Sequence, residues 1–235
     1  MVKSVQGVSF FEAAKQSLSS LTFSLITPNR IGEYGAKALY YKKEHRKKIL
    51  FLNFAGNFYQ LLVTLVLGCI GILYLPNYYD RLDIYTEWII VVVLAILVAF
   101  VLATFLIKKI KWLQRVKEFW KLQNNRSVLL LAFLRYLVFS HQFYFLLMIF
   151  EVDIAYIDAM ACITSMYLIA SIVPMLSLFD VALKGSVSVF VFSWLGYVQF
   201  APILATVSLM WILNFAIPAL LGSYFVLTFK PIKDE

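Results

Sequence analysis

Charge is scarce in this chain. Only 14% of its 235 residues are Asp, Glu, Lys or Arg, against 62% hydrophobic, which leaves too little polar surface to face water. That balance excludes a soluble enzyme, a disordered tail and a nucleic-acid-binding domain. Cysteine and histidine are scarcer still, at two each. Cys69 and Cys162 lie in apolar runs and read as small buried side chains, not as a disulfide or a metal pair. His45 lies in a basic run and His141 lies mid-span without a second histidine, which argues against a metal site. There is no His-Glu-x-x-His, no Walker loop, no Gly-x-Ser-x-Gly and no aspartate-rich pair of the kind that holds magnesium diphosphate. No cofactor, metal or nucleic-acid partner is expected. The start, MVKSVQGVSFFEAAKQ, has no apolar run after a charged stretch, so it does not read as a signal peptide and is expected in the cytoplasm.

What is present is length of apolar run. A hydrocarbon core of ~30 Å needs about 20 helical residues. Four runs meet this: Ile49 to Leu75, Trp88 to Ile107, Val128 to Phe150 and Ile203 to Thr228. Two further runs, Phe10 to Ile26 and Tyr156 to Val173, stop at Pro28 and Pro174 and carry Ser, Thr, Gln and Asp. The expected fold is therefore an all-α integral membrane protein, one transmembrane domain over residues 1–235. It is a polytopic helical bundle in which the segments 10–39 and 156–200 are broken by proline and either span or re-enter.

The basic residues set an orientation. Lys37, Lys42, Lys43, Arg46, Lys47 and Lys48 gather before the first long span, and Lys108, Lys109, Lys111, Arg115, Lys117, Lys121 and Arg126 before the third. Asp80, Asp83 and Glu87 follow the first, and Glu151, Asp153 and Asp158 follow the third. By the positive-inside rule both basic runs are cytoplasmic, and two spans between them return the chain to the same side. A multi-pass inner-membrane protein is expected. The acids of residues 151–158 read as a solvated outer loop.

The two broken segments resemble each other. TFSLITPNRIGEYGAKAL and LIASIVPMLSLFDVALKGSV each place an acid after the proline and a lysine four residues later, Glu33 with Lys37 and Asp180 with Lys184. That is the favourable helical order. Thr27 before Pro28 suggests a helix cap, and Ser177 with Asp180 has capping-box spacing. Arg30, Glu33 and Lys37 share a helical face. Two readings remain open: interfacial helix ends whose charges snorkel, or broken helices facing a polar cavity, in inverted orientation because three spans separate them. Arg135, about 10 Å into its span, shares a face with Gln142. It either snorkels or faces the interior, pairing with an acid or a lipid phosphate.

VSFFEAAKQSLSSLTFSLI followed by TPNRIGEYGAKAL, a basic run and a long span resembles the lysylphosphatidylglycerol synthase/flippase transmembrane domain family. Pro28, Arg30, Gly32 and Glu33 match its first motif. In PMLSLFDVALKGS, Pro174 and Gly185 match the second, with Lys184 where an acid is usual. WILNFAIPALLGSYF, with Asn214, Pro218 and Gly222, is similar to the end of such domains. The resemblance implies the lipid-handling membrane portion alone, shortened at the N-terminus by about two spans and without an aminoacyl-transferase domain.

The leading expectation is a non-catalytic protein that binds or translocates an amphipathic, anionic phospholipid. Arg30, Lys37, Arg135 and Lys184 would engage the head group, with Glu33 and Asp180 as counter-charges. A lipid-modifying membrane enzyme using Glu33 or Asp180 as base, and a structural or regulatory membrane subunit, are the alternatives. A homo-oligomer or a membrane partner remains open.

Overall fold

A computed structural model describes residues 7–25, 27, 31–75, 125–173 and 175–229. The expected span from Trp88 to Ile107, together with Pro28, Arg30 and Pro174, lies outside the described residues. Within them no strand is present, and the helices in chain order are α1 (Phe10–Phe23), α2 (Ile31–Leu39), α3 (Lys43–Tyr74), α4 (Asn125–Ile149), α5 (Tyr156–Ile172), α6 (Asp180–Ser193) and α7 (Phe200–Leu227). Helix α7 contains a π-helical turn at Ile212–Ala216.

Three of these helices, α3, α4 and α7, are long and apolar enough to cross a membrane. The chain is a helical membrane protein. Helix α3 begins at Lys43, so Glu44 and Lys48 stand in its first turns. At 1.5 Å per residue its 32 residues run about 48 Å. The other four are shorter, from about 13 Å for the nine residues of α2 to about 25 Å for the 17 of α5.

Local chemistry explains where the short helices start and stop. Ser9 and Glu12 close a reciprocal capping box on α1, with Glu12 N–H donating to Ser9 Oγ at 3.2 Å and Ser9 N–H to Glu12 Oε2 at 3.0 Å. At the far end, the hydroxyls of Ser20, Thr22 and Ser24 donate back to carbonyls three or four residues earlier. Of these, the Ser24 bond to Leu21 O lies in the last turn, where carbonyls lack an i+4 partner. Helix α2 then folds back along α1: Tyr40 OH donates to Ser19 Oγ at 2.8 Å and Tyr41 OH to Gln16 Oε1 at 2.7 Å.

Helix α6 doubles back along α5 in the same way. Cys162 Sγ donates to Val191 O at 3.9 Å, and Tyr197 OH donates to Asp153 O at 2.5 Å near the open end. Where these helices meet α4 lies the main apolar core, with Phe143, Leu147, Ile163, Met166, Val191 and Phe192 buried.

The long helices tie the two hairpins together. Helix α3 starts beside the open end of α1–α2, where Arg46 Nε donates to Tyr41 O at 3.1 Å. It ends beside the open end of α5–α6, where Tyr74 OH donates to Asp158 Oδ1 at 3.3 Å. Its most extensive contact is with α5. A Cβ on Gly71 would stand 2.7 Å from Ala161 O and 2.9 Å from Ser165 Oγ, so only glycine allows this approach. Helix α7 runs the opposite way, from the α6 side to α1, where Thr22 Oγ1 donates to Ala219 O at 2.8 Å. Helix α4 lies parallel to α3, Tyr59 and Val63 packing on Val128, Ala132 and Tyr136. The described start of α4 therefore lies beside the middle of α3.

Candidate functional site at the hairpin tips

The first hairpin breaks between the end of α1 at Phe23 and the start of α2 at Ile31, the second between the end of α5 at Ile172 and the start of α6 at Asp180, and described residues of the two breaks touch. Ser177 Oγ donates to Ser24 O at 3.1 Å, joining residues 153 apart in sequence. Both serines are buried, at 0% and 5% exposure. Trp211 Nε1, on α7 just before the π-turn, donates to Ser177 O at 3.3 Å. This is a correction to the capping-box reading of Ser177 and Asp180. Asp180 is the first residue of α6, its N-cap is Phe179 without a side-chain bond, and the Ser177 hydroxyl serves the other hairpin. At the first break Thr27 does act as a cap, but at a distance: its Oγ1 accepts from Gly32 N–H at 2.9 Å, and α2 starts at Ile31.

Both expected acid–lysine pairs form. Lys37 Nζ donates to Glu33 Oε1 at 2.6 Å, each side chain 21% exposed, and Lys184 Nζ donates to Asp180 Oδ2 at 2.7 Å, 34% and 27% exposed. Glu33 stands in the first turn of α2 and Asp180 in the first turn of α6. A carboxylate there favours the positive end of the helix dipole, and the lysine one turn on closes the pair. Pairs so partly buried are neither solvated surface bridges nor sealed ones.

Arg135 departs from the interior-facing expectation. It sits on an exposed face of α4, its guanidinium carbon 5.5 Å from the Phe139 ring. Each acid at the tips is held by the lysine of its own helix instead. Gln142, on the same helix, turns to α7, where Asn214 Nδ2 donates to its Oε1 at 3.0 Å. Asn214 lies in the π-turn. Pro218 has no N–H to complete a bond to the carbonyl four residues earlier, which is Asn214, and the widened turn accommodates the gap.

His141 is held structurally, Nδ1 against Leu137 O at 2.8 Å and Nε2 against Tyr156 OH at 2.9 Å. Among the described residues no group of three His, Cys, Asp or Glu is placed to hold a metal. Of the acids in residues 151–158, Glu151 and Asp153 are exposed, while Asp158 belongs to the first turn of α5.

Sequence reasoning passed over a row of amides on α3. Asn53, Asn57 and Gln60 recur at helical spacing on one face. Asn57 Nδ2 donates to Tyr34 OH on α2 at 2.6 Å, and Asn53 Nδ2 is buried with no bond among the described residues. Their spacing was the available signal. At the open end of the first hairpin, burial raises the Tyr41 phenol above its ordinary pKa, the Gln16 hydrogen bond pulling the other way.

No family model, no curated protein and no solved structure matches the chain. The resemblance to the flippase family stands on its sequence motifs alone.

Proposed function

We propose that this protein binds and translocates an amphipathic phospholipid across a cell membrane. In this reading α1–α2 and α5–α6 are re-entrant hairpins that enter from opposite faces. The basic N-terminus of α3 lies in the cytoplasm. Four arguments support it. The arms are too short to cross a ~30 Å core, while α3 and α7 reach from one hairpin's open end to the other's. Backbone freed at the breaks is intolerable against lipid and must line protein or water. Each tip carries a charge pair that a mid-membrane site holds only for a reason. Inverted broken helices meeting near the midplane are a recurrent transporter plan.

The observation that carries the proposal is the Ser177–Ser24 bond between the two tips. The test is reconstitution of the full chain in vesicles containing tail-labelled phospholipid. Faster loss of leaflet asymmetry than in protein-free vesicles supports translocation. A chemically altered lipid supports the enzyme reading instead, and neither result refutes lipid handling.

A further inference from the structure

The charge balance at the hairpin tips bears on which head group fits. Both described lysines there are already engaged, Lys37 by Glu33 and Lys184 by Asp180. An anionic head group that captured either ammonium would strand a carboxylate in a poorly solvated site, a loss that offsets the new contact. A head group bearing both signs has no such penalty. Its phosphate takes the lysine while its own cation takes the released carboxylate, so every charge is paired before and after the exchange. The pairs are accessible enough for this, between 21% and 34% exposed, and dry enough for an unpaired charge to matter.

We infer that the tips select a zwitterionic phospholipid whose cation is a primary ammonium, the phosphatidylethanolamine class, over an anionic one. A primary ammonium donates charge-assisted hydrogen bonds to Glu33 or Asp180 as the displaced lysine did. A quaternary ammonium has no N–H and meets the carboxylate by charge alone. The selectivity order is therefore primary-amine zwitterion, then quaternary zwitterion, then anion. This replaces the expected anionic substrate with a zwitterionic one and rests on the lipid-handling reading above.

The experiment uses vesicles of one bulk composition holding the full chain and trace tail-labelled phosphatidylethanolamine, phosphatidylcholine or phosphatidylglycerol with identical chains. Leaflet exchange is followed by dithionite quenching. Phosphatidylethanolamine should move roughly 30-fold faster than phosphatidylglycerol, the effect of about one stranded charge. In Glu33→Gln/Asp180→Asn, whose folding is checked by thermal melting, the advantage over phosphatidylcholine should vanish. Equal rates for all three lipids in the parent protein overturn the head-group inference and leave translocation standing. Fastest movement of phosphatidylglycerol overturns it in favour of an anionic substrate. No movement of any lipid refutes translocation and this inference with it.

Discussion

Neutralising Glu33 alone should cost more than neutralising it together with its partner. Glu33→Gln leaves the Lys37 ammonium, now 2.6 Å from its counter-charge, unpaired at a place where both side chains are 21% exposed. Breaking a buried pair typically costs ~3–5 kcal/mol, and breaking an exposed one ~0–1 kcal/mol. One-fifth exposure lies between these limits, so we expect roughly 2 kcal/mol for Glu33→Gln and similarly for Lys37→Met. For a chain of this size that corresponds to a fall of roughly 4–8 °C in the melting midpoint. Glu33→Gln/Lys37→Met leaves no charge to strand and should lose under about 1 kcal/mol. The reversed pair, Glu33→Lys/Lys37→Glu, keeps the contact but opposes the helix dipole at a cost of about 0.3–1 kcal/mol, and should melt nearer the parent than either single variant. The assay is thermal unfolding of the purified variants in one detergent, read as a double-mutant cycle. Single losses that simply add in the double variant would show that the pair is solvated and uncoupled, and the midplane placement of α2 would fail with it.

Gly71→Val should lose at least ~2 kcal/mol because its side chain meets Ala161 O and Ser165 Oγ. Gly35→Ala, where a Cβ meets nothing within 4 Å, should be neutral or gain up to ~1 kcal/mol. Reversal of that order in thermal melts would contradict the α3–α5 contact. Trp211→Phe removes the bond to Ser177 O together with one of the two rings and should lower stability by at least about 1 kcal/mol. An unchanged melt would mean the indole does not hold the second tip. With impermeant thiol reagents on intact cells, Lys43→Cys should stay protected and Ala155→Cys should react. The opposite pattern would reverse the orientation.

The long helices were legible because run length alone identifies them, and the two ion pairs because i,i+4 spacing is local. The hairpin tips were not legible in the same sense. Ser177, three residues before Asp180, satisfies capping-box spacing whether or not the backbone between them is helical. Only the fold reveals that its hydroxyl reaches Ser24 in the other hairpin. Arg135 was left open between two faces for the opposite reason. Depth along a helix is readable from sequence, but α4 is apolar nearly all round, so periodicity assigned no inward face, and the arginine sits on an exposed one. The Ser9–Glu12 box at the start of α1 and the α3 amide row were both written in ordinary spacing. They were overshadowed by the charged residues.

The central claim, that the two broken segments meet tip to tip, is tested most directly by Ser24→Cys/Ser177→Cys in a background with Cys69 and Cys162 replaced by alanine. A protease site inserted between residues 75 and 125 separates the partners onto different fragments. Because Ser177 Oγ lies 3.1 Å from Ser24 O, mild oxidation in native membranes should keep the fragments joined until a reductant is added. A control pair, Ser24→Cys/Ser193→Cys, with Ser193 at the far end of α6, should fall apart. Fragments of the first pair that separate under oxidation as readily as the control would place the tips apart and contradict the account.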